Sequence, residues 1–277
     1  MIISAARSGT KLLRRALASH PEVGAVPYDV NYLWRLGNES VPHDELDSPL
    51  PPQAKKVVGR ELDRHGGSNA VVIEKTVSNC LRVPAVADAL DDPLFVFLVR
   101  DGFDVTESAA RQWLAPVDWK YTARKALAYP WLTAPEYALR HLRSMVSRRD
   151  PGAVATWGPR YDGIEADRKN NTLVRTCAQQ WATCNVRAIE GFDAIDVSPL
   201  VVRYRDLVAD PVACATRIYE FVGVRAIATS VEDIHVTDVG KGRRSLDADT
   251  ISNIEPVLVP AQEALDNWIT SHGGDLP

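Results

Sequence analysis

The chain has 277 residues, 45% hydrophobic and 25% charged, with a formal net charge of −4. That length allows one large core or two small ones, and the acidic balance argues against a dedicated nucleic-acid binder, which carries excess positive charge. The start, MIISAARSG, lacks the basic and long apolar regions of a secretory signal, and no apolar run approaches the ~20 residues that span a bilayer, so the expectation is a cytoplasmic protein.

Met1-Ile2-Ile3 reads as a strand and Ala5 to Gly9 as a short turn. Leu12, Leu13, Ala16 and Leu17 then recur at helical spacing until Pro21. Strand, turn and helix in this order present backbone N–H groups to an anion. The turn departs from the nucleotide loop G-x-x-x-x-G-K-[ST]: Ser4 stands at the first glycine position, and Thr10 separates Gly9 from Lys11. An ordinary strand–helix turn that needs Gly9 for its backbone angles is the other reading.

Three β-rich runs follow, AVVIEKT (70–76), LFVFLVR (94–100) and LVVRYRD (200–206). Helical patterns come after them, at 104–113 and at 210–223, the latter with Asp210 as N-cap, Pro211 in the first turn and Gly223 past the end. Asn170 to Ile189 forms a long helix expected to close at Gly191. Strands alternating with helices predict an α/β fold: a P-loop-like three-layer domain with a central, mostly parallel sheet. SPLPPQ (48–53) reads as a surface loop. Trp113 to Asn170 breaks the alternation and predicts a helical insert at about 113–170 within a single domain, 1–277. Cys80, Cys177, Cys184 and Cys214 form no C-x-x-C pair and read as buried thiols, and the six histidines show no metal-ligand spacing.

Arg100 falls at the carboxyl end of the second of these strands, where open α/β sheets bind ligands. Its guanidinium can fork two donors onto a phosphate. Ser108 lies about one helical turn beyond Asp104 and can add a hydroxyl. A surface ion pair is the plainer use of such an arginine. Two anion sites on neighbouring strands suit a ligand with two separated phosphates.

RSGTKLL, EKTVSN, FLVRDGFDVTESAARQW and VRYRDLVADP, in that order and spacing, resemble the sulfotransferases that use 3′-phosphoadenosine-5′-phosphosulfate (PAPS) and release 3′-phosphoadenosine-5′-phosphate (PAP). The likeness extends to WGPR (157–160) and runs from residue 2 to about residue 245. It implies that Ser8, Gly9, Thr10 and Lys11 cradle the 5′-phosphate, with Arg7 against the bridging oxygen of the leaving group. By the same resemblance, Arg100 and Ser108 bind the 3′-phosphate, while Tyr204 and the loop Lys241, Gly242, Arg243 and Arg244 hold the nucleotide. Lys75 points toward the same crevice, either to the sulfuryl group or to a carboxylate. Lys11 departs from the family's usual Thr or Ser, and GKGRRS (240–245) matches its late loop only loosely.

A sulfuryl group carries less negative charge than a phosphoryl group, so the expected site uses arginine, lysine and backbone dipoles without a metal. The family also needs a general base to take the acceptor's proton. Asp29 in GAVPYDVNYLW (24–34) is the first choice, on a segment expected to leave the sheet beside the opening loop. An Asx-turn role is its structural alternative. Glu74, His43 and His141 are weaker candidates.

Residues 119–149 carry seven Lys and Arg against Glu136 alone, interleaved with Trp119, Tyr121, Tyr129, Trp131 and Tyr137. This is either a solvated basic face or a surface for an anionic, sugar or membrane-associated acceptor bearing a hydroxyl. No nucleic-acid partner is expected, and a homo-oligomer is left open. Two other functions are weighed: an ATP- and Mg-dependent P-loop kinase with Asp101 as its metal-associated acid, and a non-catalytic nucleotide-binding module.

Overall fold

The structure is a computed structural model that describes residues 1–46, 48–115, 156–227 and 239–272. The described residues hold five short strands in a three-stranded and a two-stranded ladder: β1 (Ile2–Ile3), β2 (Val23–Ala25), β3 (Val71–Ile73), β4 (Val96–Val99) and β5 (Leu200–Arg203). β1 pairs with β4, β4 with β5 and β2 with β3, all parallel. A single backbone bond, Ile2 N–H to the Glu74 carbonyl at 2.8 Å, joins β1 to the end of β3. The strands therefore run β2-β3-β1-β4-β5 across the molecule.

Residue alternation along the strands separates two cores. Ile3, Phe97, Val99 and Val201 face one, and Ile2, Val96, Leu98 and Val202 face the other. Helices cover both faces: α1 (Thr10–Leu17), α2 (Pro52–Gly66), α3 (Val83–Asp88), α4 (Gly102–Trp113), α5 (Ile164–Asn170), α6 (Leu173–Ala194), α7 (Tyr204–Ala209), α8 (Pro211–Phe221), α9 (Lys241–Ser245) and α10 (Ala248–Ser271). α1 and α8 pack on the second face through Leu13, Leu17, Ala215 and Ile218. α4, α6 and α10 pack on the first through Val105, Trp181, Phe192 and Leu258. This is the three-layer α/β fold that the sequence predicts.

Two boundaries differ from expectation. The last strand stops at Arg203, and Tyr204 opens α7 rather than extending β5. Gly191 does not close the long helix, which runs on to Ala194. A side chain at 191 would sit 2.8 Å from Val83 Cβ, so this glycine serves close packing against α3. The same helix also starts later than expected: α5 ends at Asn170, and Thr172 caps α6. Residues 116–155, most of the expected insert, lie outside the described residues.

The return from that segment is fastened by buried Asp44. Its carboxylate accepts from Arg35 Nη1 and Asn31 Nδ2, both at 3.0 Å, and from Ser78 Oγ and the Arg160 N–H, both at 2.9 Å. Burial pushes this carboxyl up, but Arg82, Asn31, the Arg160 N–H and Arg35 together outweigh it and hold it below the usual range. A depressed folded value means stability present above the unfolded value of about 3.9 and lost as pH falls through the folded one. Asp44→Asn keeps the shape, removes the charge and turns a donor toward donors. It should cost about 2–3 kcal/mol near neutral pH and flatten the acid limb of a melting-temperature profile. An unchanged profile would make Asp44 incidental to stability.

Candidate active site

β1 delivers the chain to the carboxyl edge of the sheet, where Ser4 Oγ donates to the Leu98 carbonyl at 2.6 Å and fixes the loop's start on β4. The loop then alternates in hand, with Arg7 at φ 69° and Gly9 at φ 101° before α1 begins at Thr10. Such alternation turns successive N–H groups to one side. The first N–H groups of α1 have no acceptor within the helix, and no side chain caps it. Gly9 is required twice over. Its φ disfavours any side chain, and a Cβ there would lie 2.7 Å from the Tyr204 ring. Ser8 Oγ is buried beside this turn with no hydrogen-bond partner among the described residues.

Cations surround the loop. Burial lowers the Lys11 ammonium below its usual range; Lys75, Arg7 and Arg14 lower it further, against an opposing pull from Asp29. So many like charges favour an anion in their midst. Lys75, at the end of β3 and 2% exposed, donates to Asp29 Oδ1 at 2.6 Å. Of the two uses expected for Lys75, the carboxylate partner is the one formed, and that partner is the predicted base.

Asp29 comes within electrostatic reach of Lys11 at the opening loop. β3 lies between β2 and β1, and Asp29 reaches the loop's cations across the end of β3. It is held there by its neighbour: the Val30 N–H donates to Thr76 Oγ1 at 2.8 Å, and the Thr76 N–H donates to Glu74 Oε1 at 2.7 Å. A shallow recess opens at Asp29, walled by Val26, Tyr28, Tyr32, Glu61 and His65. Glu74 itself is fully buried, which raises its carboxyl, and its other oxygen accepts from Asn79 Nδ2 at 3.1 Å. It braces the strand end rather than lining the recess. His43 lies 3.9 Å from the Asp162 carboxylate, near the returning segment, and His141 is outside the described residues.

A second cluster forms where β4 runs into α4. Arg100 Nη1 donates to the Arg7 carbonyl at 3.1 Å, and its guanidinium lies 4.0 Å above the Tyr204 ring. Arg7 crosses to the same helix, donating from Nε to Ser108 Oγ at 3.0 Å and from Nη1 to Gln112 Oε1 at 3.3 Å. Arg7, Tyr204 and the Arg100–Ser108 unit, far apart in sequence, thus meet at one end of the sheet. The start of α9 closes on this place, with Gly240 and Gly242 N–H bound to Asp104 and the Arg243 guanidinium 3.7 Å over the Phe103 ring. Asp101 caps α4 by accepting from the Asp104 N–H at 3.0 Å. Asp104 and Gln112 escaped the sequence reading because an acid in a first turn and an amide in a last turn are routine helix residues.

Among the described residues no group of three or more His, Cys, Asp or Glu is placed to hold a metal ion, and no helix is long and apolar enough to cross a membrane. Arg7 thus links two clusters of positive charge and N–H donors, one at the opening loop and one where β4 runs into α4, and the Lys75–Asp29 pair lies near the first.

A family model described as "Sulfotransferase family" matches residues 1–167. No curated protein matches the chain. Among solved structures, a sulfotransferase from Alicyclobacillus acidocaldarius is 14% identical, with a TM-score of 0.52 over 99% of this chain and 95% of that one. The sulfotransferase domain of the curacin biosynthetic pathway is 15% identical (TM-score 0.49, 100% and 97% covered). That of the Synechococcus PCC 7002 olefin synthase is 18% identical (TM-score 0.47, 100% and 94% covered). The first shares the fold of this chain.

Proposed function

Because the chain belongs to the sulfotransferase family, we propose that it moves a sulfuryl group from PAPS to a hydroxyl of a carbohydrate or other small-molecule or lipid-linked acceptor. The observation that carries this reading is the loop itself. Lys11 sits among Lys75, Arg7 and Arg14 over a run of inward N–H groups, with Ser8 Oγ buried and without a partner. This concentration of positive charge at a helix N-terminus suits an anion and fits a 5′-phosphosulfate. When bound, PAPS supplies the sulfuryl group.

The residues then take the following roles. Ser8, Gly9, Thr10 and Lys11 hold the phosphosulfate from the N-terminus of α1. Arg7 meets the charge that develops on the leaving phosphate. Arg100 and Ser108 hold the 3′-phosphate, and Tyr204, which packs between Gly9 and Arg100, braces both places. Lys241, Gly242 and Arg243 complete the nucleotide site. Asp29 takes the proton of the acceptor hydroxyl, which reaches it from the recess walled by Tyr28 and Tyr32. Lys75 orients Asp29 through the 2.6 Å contact and adds positive charge beside the transferring group.

The test is selective binding. PAP should bind without metal, and ATP with Mg²⁺ should bind more weakly, because Arg100 and Ser108 are spent on a 3′-phosphate that ATP lacks. Arg100→Ala should weaken PAP by about 30-fold, roughly 2 kcal/mol for a charge-assisted phosphate contact. Calorimetry showing ATP preferred over PAP would overturn the proposal. Undiminished PAP binding by the variant would remove Arg100 from the site.

A further inference from the structure

α4 carries an acid that its own helix does not use. Asp104 is buried, 3% exposed, in the first turn of α4. An aspartate there ordinarily faces solvent or its own helix N-terminus. Both of its oxygens instead leave the helix for a turn well over a hundred residues away. Oδ2 accepts from the Gly240 N–H at 2.8 Å and Oδ1 from the Gly242 N–H at 2.7 Å. The turn is pressed down hard: a Cβ on Gly242 would lie 2.2 Å from the Phe103 carbonyl oxygen and 2.6 Å from the Asp104 nitrogen. Arg243 stacks on Phe103 in the same contact.

We infer that Asp104 is a positioning residue for the nucleotide's 3′-phosphate: it clamps the start of α9, which carries Lys241 and Arg243, against α4, one helical turn from Ser108 and just beyond Arg100. The inference rests on the PAPS reading and adds to it a residue with no substrate contact of its own. Two features make the clamp suited to this task. Charge-assisted bonds to a carboxylate are the stronger kind, so the turn keeps one position without its own core. The two N–H donors also offset the carboxylate's charge, so an acid can stand beside an anion site without repelling the anion. Fixing Lys241 and Arg243 before the ligand arrives removes an ordering cost from binding.

The experiment compares PAP with adenosine 5′-monophosphate, which lacks the 3′-phosphate, by calorimetry on the full chain. Asp104→Asn places an amide against one of the two N–H donors. It should weaken PAP by about 10-fold or more, the size of one charge-assisted hydrogen bond, and leave the monophosphate within about twofold. Turnover at saturating PAPS should change little, so that KM rises while kcat holds. Gly242→Ala pushes the same segment off α4 while keeping the Asp104 carboxylate and should give the same selective loss, which decides the matter if Asp104→Asn fails to fold. In a Lys241→Ala/Arg243→Ala background, Asp104→Asn should add less than about twofold, since a clamp with nothing to position has no further effect. Equal losses for both ligands, additive losses in that background, or unchanged PAP affinity in Asp104→Asn or in Gly242→Ala would each overturn the inference. A wild-type protein that binds PAP no better than the monophosphate would overturn the nucleotide reading as well.

Discussion

Asp29→Asn should fold, bind PAP as tightly as the wild type and lose about 10²–10⁴-fold in turnover, the range for removal of a positioned general base. The geometry makes this variant informative. Asparagine keeps an Oδ1 that can accept from Lys75 Nζ, now at 2.6 Å from the carboxylate. The backbone bonds that place the segment, Val30 N–H to Thr76 and Val26 N–H to the Ile73 carbonyl, do not involve the side chain. Shape and position are therefore retained, and only the capacity to take a proton is removed. PAP release from PAPS, measured over a panel of phenols and monosaccharides as acceptors, reads the effect; a melting curve reads the fold. Wild-type turnover in the variant would place the base elsewhere. Loss of the fold would make Asp29 the structural turn residue that its sequence context also allowed.

What could be read from the sequence was local or periodic. The strand, turn and helix of residues 2–17 announce themselves within one short stretch, because Gly9 and the apolar spacing of α1 are neighbours. Arg100 and Ser108 share a strand–helix unit, so their common end of the sheet follows from the helical period. The capping pattern of α8 is equally self-contained: the Asp210 carboxylate accepts from the Ala213 N–H at 2.9 Å, as its place before Pro211 predicts. Relations across the chain were not legible. No periodicity tells that β3 separates β2 from β1, since strands of two or three residues carry no register. The Lys75–Asp29 pair joins residues 46 apart, and the Asp104 clamp spans 136 and 138. Such contacts depend on which helix lands beside which loop, and one sequence holds no sign of that. Gly191 misled for a related reason. A helix-stop residue and a close-packing residue look alike until Val83 is seen against it.

Arg7→Ala should lower kcat by about 10²–10³-fold, the size of losing one preorganised donor at a developing oxyanion, while weakening PAP by less than about 10-fold. Arg7 already holds φ 69° with a Cβ in place, so alanine asks nothing new of the backbone and the loop keeps its turn. What disappears is a guanidinium that leaves the loop and reaches Ser108 and Gln112 on α4. Ground-state binding survives because Lys11, Arg100 and the N–H groups of α1 remain. The bridging oxygen, however, gains charge only as the sulfuryl group departs, and there the lost cation has no substitute. Arg7→Lys should recover part of the rate: its ammonium supplies charge, but not the planar fork that spans Ser108 and Gln112. Rapid-quench measurement of single-turnover PAP release, beside calorimetric PAP affinity for each variant, separates the two effects. Losses of equal size in rate and in PAP affinity would make Arg7 a phosphate anchor and assign leaving-group stabilisation to Lys11 or Lys75.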